Sequence, residues 1–222
     1  MVIFMVKGKL VVIMGCDGTG KTTLLNNIKK YYSKKFNIIT LSGFGNKRYT
    51  MELDKIAKMQ GKERKEVFSS DLRSSMWLID LLNNSLLEVT KHLENGKIVI
   101  LDRYCLCAKI YAKVVRNANI EHLYKTFEIL PKPDLGIYLD GNINIIYNRL
   151  LKKNVKLAPH ENPIKLMEIR KEYIKEFKNE NYPIFRLNIN YNEMKILNSC
   201  MNIILNNLNK NNIFTKDKYI LN

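Results

Sequence analysis

Cysteine is scarce in this chain of 222 residues, where only Cys16, Cys105, Cys107 and Cys200 are present. No two of them follow a C-x2-C spacing with later histidines, so the sequence lends no support to a zinc site. The first residues lack the pattern of a secretory leader, and a chain of this length does not need disulfides to fold. We therefore expect reduced thiols and a cytoplasmic protein.

Extended apolar segments and acidic residues are also few. No segment approaches the roughly 20 apolar residues of a membrane span, so we expect no membrane partner. Asp and Glu number 21 against 37 Lys and Arg, which gives a formal charge of +16. The lysines are spread through the whole chain without an aromatic-interleaved basic stripe. We do not expect nucleic acid as a partner, although a nucleic-acid-associated ATPase or a non-catalytic regulator stays an alternative.

Short apolar runs do recur along the chain, and helical periodicity separates most of them. Five runs have strand length: 10–14, 38–41, 98–101, 135–139 and 184–187. Strands that alternate with helices predict a parallel sheet covered on both faces. We expect one α/β domain over residues 1–208 and a loosely held tail over 209–222.

Helical patterns fill the intervals between these strands. The predicted helices cover 21–35, about 49–59, about 69–93, about 106–115, about 122–129, 142–152, 163–177 and 193–208. The helix at 69–93 is the best specified, because apolar residues recur from Leu72 to Leu93 at steps of three and four. Asn95 and Gly96 then supply a helix stop.

The residues directly after the first strand match the phosphate-binding pattern G-x4-G-K-[ST]. The candidate cofactor-binding residues are Gly15, Cys16, Asp17, Gly18, Thr19, Gly20, Lys21, Thr22 and Thr23. Glycines let backbone N–H groups face phosphate oxygens, and the following helix start adds its positive dipole. We expect Lys21 to reach the β- and γ-phosphates and Thr22 to bind Mg²⁺, so ATP and Mg²⁺ are the expected cofactors.

A carboxylate follows the third apolar run. Residues 98–101 form a buried strand that leads into Asp102. P-loop phosphotransferases place such a carboxylate near the metal. Thr22 and Asp102 are therefore the candidate metal ligands.

Three stretches, taken together, resemble the thymidylate kinase family. They are DGTGKTT at positions 17–23, DRY at 102–104, and PKPDL at 131–135 running into YLD at 138–140. The resemblance covers the chain from about residue 8 to residue 190. It implies a P-loop NTPase fold with a five-stranded parallel sheet, helices on both faces and a short lid at about 149–163. The implied reaction is ATP-dependent phosphorylation of a nucleoside monophosphate, dTMP to dTDP foremost.

The resemblance also implies catalytic roles for Lys21, Asp17, Arg103 and Arg149. Asp17 would contact the acceptor sugar hydroxyl or the metal shell, and Arg103 would hold the acceptor phosphate near the γ-phosphoryl group. Both roles suit phosphoryl transfer, which needs positioning and neutralised oxygens. For Arg103 the alternative is a structural ion pair with Asp102 or Asp134.

A set of acceptor-binding candidates follows from the same resemblance. These are Asp17, Phe44, Lys47, Arg48, Phe68, Arg73, Arg103, Cys107 and Tyr111. Phe68 corresponds to an aromatic residue that stacks on the acceptor base, and Tyr111 to a tyrosine that crowds the ribose 2′ position. Ordinary packing is the alternative for both side chains.

The loop after the second strand departs from one common form of the family. SGFGNKR at positions 42–48 is more similar to a Phe-Pro-x-Arg variant, with Gly45 in the proline position. Lys47 or Arg48 then supplies the basic group for the acceptor phosphate. The sequence leaves open which of Lys47, Arg48 and Arg73 touches that phosphate.

The base-contact positions differ from the family as well. Leu72 occupies an arginine position, and Arg73 comes one residue later, about 100° round the helix. Cys107 and Ala108 replace polar side chains at the thymine edge, and such a pocket discriminates weakly. The same fold acting on another nucleotide, a nucleoside or a specialised metabolite is therefore the main alternative.

The predicted lid contains Arg149 followed by Lys152, Lys153 and Lys156. Family members with a similar phosphate-binding loop carry arginines there. Lysine lacks the planar guanidinium fork, and an arginine at the transferring group is worth about 10³–10⁵ in rate. We expect slow turnover unless Arg149 reaches the site, and a solvated mobile loop is the alternative for the lysines.

The resemblance further implies a homodimer, in which the helix at 69–93 packs against its mate. Trp77 lies beside the apolar stripe of that helix. It is a candidate interface residue, with burial in the core of its own chain as the alternative.

Overall fold

The computed structural model describes residues 8–153 and 156–208. The expectations for residues 1–7, for two residues of the lid and for the tail at 209–222 lie outside the described residues. The strands are β1 (Lys9–Met14), β2 (Ile38–Ser42), β3 (Ile98–Asp102), β4 (Leu135–Asp140) and β5 (Ile184–Asn188). All four strand pairs are parallel, in the order β2-β3-β1-β4-β5. The predicted five-stranded parallel sheet is confirmed.

Helices connect the strands. They are α1 (Lys21–Phe36), α2 (Arg48–Met59), α3 (Arg64–Val67), α4 (Ser70–Asn84), α5 (Thr90–Glu94), α6 (Cys105–Ile110), α7 (Ile143–Leu151), α8 (Pro163–Glu176) and α9 (Glu193–Leu208). Within the described ranges no helix is both long enough and apolar enough to cross a membrane.

Two predicted helices contain a π turn that the apolar pattern did not reveal. The helix predicted at 69–93 consists of α4, a π segment at Ser85–Val89, and α5. Thr90 donates to the Ser85 carbonyl through both its backbone N–H and its hydroxyl, the latter at 3.0 Å. These two hydrogen bonds to a carbonyl five residues back favour the wider π turn. The helix predicted at 106–115 likewise becomes α6 and a π segment at Tyr111–Val115.

Two further corrections concern short elements. The helix predicted at 122–129 is a 3₁₀ helix, Glu121–Ile129. The sequence analysis missed α3, although Glu63 and Glu66 form a capping box at its start. A four-residue helix carries too little periodicity to be recognised, so its capping box was the only available signal.

The sheet is buried on both faces, which explains its nearly continuous apolar strands. Five of the six β1 residues and all six β4 residues are buried. Ile13 in β1 pairs with Asp102 in β3. The loop after β1 and the carboxylate at the end of β3 therefore meet at the carboxyl edge of the sheet, where α/β proteins bind ligands.

A buried carboxylate ends β4. Asp140 accepts from Arg170 at 2.8 and 3.0 Å and lies 2.5 Å from Arg186. Its side chain is only 2% exposed, whereas the two arginines are about one-third exposed. This triad ties α8 and β5 to the end of β4.

Candidate phosphate-binding site

The loop between β1 and α1 curves around a cavity of about 620 Å³. Gly18 and Gly20 have φ angles of +84° and +89°, a left-handed backbone that other residues rarely adopt. A Cβ atom on Gly18 would lie 2.8 Å from the Ile146 carbonyl oxygen. The Thr19 hydroxyl donates to the Cys16 carbonyl at 2.8 Å. This curvature directs backbone N–H groups towards phosphate oxygens.

Lys21 lies buried at the start of α1. Its Nζ donates to the Gly15 carbonyl at 3.0 Å and to the Cys16 carbonyl at 2.7 Å. Burial, together with repulsion from Arg103, lowers the pKa of Lys21 to about 8. A cation held in this way gains from an anionic partner. The predicted cofactor-binding residues from Asp17 to Thr23 all line the cavity.

Thr22 and Asp102, the predicted metal ligands, lie side by side. The Thr22 hydroxyl donates to Asp102 Oδ2 at 3.4 Å. The other oxygen, Oδ1, is buried and has no hydrogen-bond partner among the described residues. Among all residues that the structure describes, no cluster of three or more His, Cys, Asp or Glu side chains could hold a metal. One hydroxyl and one carboxylate fit Mg²⁺, which P-loop enzymes share with nucleotide phosphates.

Three side chains converge on the carboxylate of Asp17. Arg103 forms an ion pair with Oδ1, the Tyr111 hydroxyl donates to Oδ2 at 2.9 Å, and His160 Nε2 lies 3.2 Å from Oδ2. Burial by itself raises the pKa of Asp17, but Arg103 and the hydrogen bond from His160 outweigh it. They hold the pKa of this carboxyl well below its usual range. Asp17 is therefore an ionised acceptor that links the loop to the residues around it.

Arg103 is held by its backbone as well as by its charge. Its φ angle is +69°, which is rare outside glycine and is retained where the surroundings enforce it. Its N–H donates to the Ile13 carbonyl at 3.0 Å, and its guanidinium lies 4.4 Å from the centre of the Tyr111 ring. Nη1 is buried without a partner among the described residues. Because buried N–H groups normally have a hydrogen-bond partner, Nη1 is available to an oxygen atom of a ligand.

The alternative role for Arg103, an ion pair with Asp102 or Asp134, is wrong. Arg103 pairs with Asp17 instead, because its left-handed backbone turns it towards the phosphate-binding loop. Asp134 is occupied by Lys9 at 2.8 Å. The guanidinium of Arg103 therefore lies at the cavity, paired with Asp17, and not beside Asp102 or Asp134.

The loop after β2 is anchored by Phe44. Its ring is buried and lies 4.6 Å from the Trp77 ring, centre to centre. Lys47 is exposed, with Nζ 6.0 Å from the centre of the Trp77 ring, and the exposed Arg48 begins α2. The two predicted basic groups therefore stand on the solvent side of this aromatic pair. Their contact with an acceptor phosphate stays a prediction.

The other acceptor-binding candidates are more dispersed. Phe68 is half-buried between α3 and α4. Arg73 donates to the Ser69 carbonyl at 3.3 Å and to the Ser70 hydroxyl at 3.1 Å. Cys107 is buried in the core, and burial raises the pKa of its thiol. Their predicted contacts with an acceptor also stay predictions.

The predicted lid contributes three side chains to the cavity region. Arg149 and Lys153 line the cavity, and Arg149 donates to the Ile189 carbonyl at 3.1 Å. His160 reaches Asp17, as described above. The sequence analysis missed His160, because a lone histidine carries no pattern and its partner lies 143 positions away. It also missed Tyr191, which lines the same cavity.

Comparisons with known proteins agree with this geometry. A family model described as thymidylate kinase matches residues 13–199. A thymidylate kinase from Caldicellulosiruptor saccharolyticus is 32% identical over 162 residues, which cover 68% of this chain and 74% of that protein. A probable thymidylate kinase from Saccharolobus solfataricus is 27% identical and covers 90% of this chain and 98% of that protein.

Among solved structures, a thymidylate kinase from Candida albicans superposes with a TM-score of 0.66. The match covers 91% of this chain and 93% of that one, at 17% sequence identity. At this identity the similarity establishes the fold alone.

Proposed function

This chain belongs to the thymidylate kinase family, and from that membership we propose that it transfers the γ-phosphoryl group of ATP to dTMP, giving dTDP. The observation that carries the proposal is that two groups of side chains line one cavity. Lys21, Thr22 and Asp102 form the first group, and the Asp17–Arg103 ion pair forms the second. Such an arrangement suits a donor phosphate chain facing an acceptor phosphate.

On the donor side, the loop and Lys21 bind the ATP phosphates. Lys21 exchanges the carbonyls of Gly15 and Cys16 for β- and γ-phosphate oxygens, which relieves the low pKa of a buried lysine. Thr22 and Asp102 would hold Mg²⁺, which would supply neutralisation of the charge on the phosphate oxygens.

On the acceptor side, Arg103 donates its unpartnered Nη1 to the acceptor phosphate. Asp17 keeps the guanidinium in place from one end, and the Tyr111 ring supports its face. A preorganised guanidinium aligns the attacking phosphate oxygen with the γ-phosphorus without having to reorganise during the reaction. Tyr111, bonded to Asp17 through its hydroxyl, fills the space beside the sugar.

Arg149 supplies the guanidinium for the transferring group. It already lines the cavity, and its bond to the Ile189 carbonyl is the kind of neutral contact that a phosphate oxygen can replace. The lid lysine that lines the cavity, Lys153, adds charge without the planar fork.

A different acceptor is the second candidate. Leu72 is 38% exposed at the place where the family carries an arginine, and Ala108 offers no hydrogen bond. A pocket without these polar contacts discriminates weakly between bases. The same site would then phosphorylate another nucleotide, a nucleoside or a related metabolite.

We also propose a cytoplasmic homodimer that packs through the region of α4 and the following π segment. Leu86 and Leu87 on that segment are 45% and 61% exposed, which supports an apolar contact there. Trp77 is less suited to the interface, because its ring packs against Phe44 in its own chain.

The test is ADP formation with ATP and Mg²⁺ against a panel of nucleoside monophosphates and nucleosides. Lys21→Ala is the inactive reference, and Lys29→Ala, an exposed lysine on the same helix, is the matched control. We expect dTMP to be the preferred acceptor and only Lys21→Ala to lose activity. Turnover that prefers another acceptor supports the second candidate, and DNA-stimulated hydrolysis without any acceptor would contradict both.

A further inference from the structure

Asn84 is the last residue of α4, and none of the roles above uses it. Its side chain is half-buried, and its Nδ2 donates to two backbone carbonyls where β2 ends, that of Ser42 at 2.8 Å and that of Gly43 at 3.2 Å. An asparagine amide carries two donor hydrogens, so both bonds can form at once. A side chain of α4 therefore holds the start of the loop after β2.

The turn has room for the Asn84 amide because residue 45 is a glycine. The Gly45 N–H donates to the Ser42 carbonyl at 3.1 Å, which closes the turn. Its φ angle is +53°, which glycine adopts readily and proline, with φ fixed at about −65°, cannot. A Cβ atom on Gly45 would lie 2.6 Å from Asn84 Oδ1. Glycine therefore replaces the proline of the Phe-Pro-x-Arg variant at the place where the Asn84 amide fills the turn.

The Asn84 contact continues through the peptide unit that precedes Gly43. The carbonyl of this unit accepts from Asn84, and its N–H donates to the Asp102 carbonyl at 3.0 Å. The peptide unit after Asp102 donates in turn, from the Arg103 N–H to the Ile13 carbonyl of β1 at 3.0 Å. Hydrogen-bonded peptide units polarise one another, so each bond strengthens the next. A continuous row of hydrogen bonds thus runs from α4 to β1.

This row includes the backbone of two predicted site residues. Asp102 and Arg103 share the peptide unit whose carbonyl is held by Gly43 and whose N–H is held by β1. Arg103 has a φ angle of +69°, a costly conformation that persists only where the surroundings hold it. The direction of its guanidinium, which lines the cavity beside Asp17, starts from this backbone.

We propose that Asn84 is a positioning residue. Through the loop after β2 it holds the backbone of Asp102 and Arg103, and it thereby directs the Arg103 guanidinium towards the acceptor phosphate. The inference rests on the proposed function. Asn84 does not line the cavity, so it acts through the loop and not on the substrate. A shift of about 1 Å in a positioning group can cost about a hundredfold in rate, so a small relaxation of this backbone is enough to weaken acceptor binding.

The experiment compares Asn84→Asp with a matched control in steady-state kinetics. The substitution keeps the shape of the side chain but replaces the donor with a carboxylate oxygen, which repels both loop carbonyls. The control is Asn207→Asp, because Asn207 is also half-buried and donates from Nδ2 to the Ile203 carbonyl at 2.7 Å. We expect Asn84→Asp to raise KM for the acceptor about fivefold, the effect of one hydrogen bond, and to leave KM for ATP unchanged. The control should change neither.

A double-mutant cycle with Arg103→Lys tests the route of the effect. If Asn84 acts through Arg103, Asn84→Asp should cause no further rise in acceptor KM once the guanidinium is gone. Independent, additive effects would overturn the inference. Asn84→Ala removes the contact without adding a charge, so a rise in acceptor KM in that variant supports the inference even where Asn84→Asp does not fold.

Amide hydrogen exchange in the nucleotide-free protein gives a readout that does not depend on activity. The Gly43 and Arg103 amides should exchange about fivefold faster in Asn84→Asp than in the wild type, and at the wild-type rate in Asn207→Asp. Unchanged exchange at both amides, or an unchanged acceptor KM, would overturn the inference. Failure of the proposed function is distinct: the wild type would phosphorylate no nucleoside monophosphate, and exchange would still decide whether Asn84 holds this backbone.

Discussion

His160 Nε2 lies 3.2 Å from Oδ2 of Asp17, and its ring meets the Tyr111 ring edge-on at 5.9 Å, centre to centre. The segment before α8 is thereby joined to the phosphate-binding loop through a catalytic candidate. The same carboxylate also binds Arg103. A change at His160 therefore reaches the acceptor arginine through one intermediate residue.

Replacing His160 with Ala should lower kcat/KM about tenfold, the effect of losing one partly exposed hydrogen bond to a charged group. Asp17 would then hold Arg103 less firmly, so KM for the acceptor should rise more than KM for ATP. Steady-state kinetics with each substrate varied in turn measure this split. His122→Ala, an exposed histidine in the 3₁₀ helix, is the control. Equal kinetics for both variants would show that the contact has no role in the reaction.

Arg149→Ala should reduce kcat about a thousandfold, the lower end of the effect of an arginine at a transferring phosphoryl group. KM values should change little, because the contact strengthens in the transition state. Arg149→Lys should recover only part of the rate, since lysine has no bidentate fork. Single-turnover kinetics with Lys152→Ala as a lid control decide the point. Fast turnover that survives Arg149→Ala would refute the role.

The affinity for ATP should fall as pH rises through about 8. The pKa of Lys21 is lowered to about 8 in the nucleotide-free protein, so the charged form is present below that pH and lost above it. ATP phosphates favour the charged form, so binding between about pH 7 and about pH 9 should take up protons. Calorimetry in two buffers of different ionisation enthalpy measures that uptake. In Lys21→Met the uptake should disappear; an uptake of the same size there would assign it to another group.

Asp140→Asn should lower the free energy of unfolding by about 2 kcal/mol, because two arginines lose a buried carboxylate but keep partial access to water. Urea denaturation measures this loss. The exposed pair of Glu52 and Lys55 gives the comparison, since Glu52→Gln should cost less than about 1 kcal/mol. Equal losses in the two variants would mean that the Asp140 triad is no stronger than a surface pair.

The sheet could be predicted from the sequence because its strands are buried on both faces and read as apolar runs. The loop at residues 15–22 could be predicted because its glycines and Lys21 follow one of those runs. The π turns could not, since apolar steps of three and four continue through Ser85 and Tyr111 without a visible break. Nor could the contact of His160 with Asp17, because it depends on how α8 and the segment before it return to the sheet.

The backbones of Arg103 and Gly43, which belong to distant segments of the chain, lie in close contact. A Cβ atom on Gly43 would lie 2.1 Å from the Arg103 carbonyl oxygen, so the loop after β2 crosses Arg103 with no room for a larger residue. A chimera that takes this loop from a relative with any other amino acid at that position would displace Arg103, although Arg103 itself is retained. Acceptor preference can therefore change through substitutions at exposed positions such as Lys47 or Leu72. Any side chain at position 43 would instead collide with the Arg103 backbone.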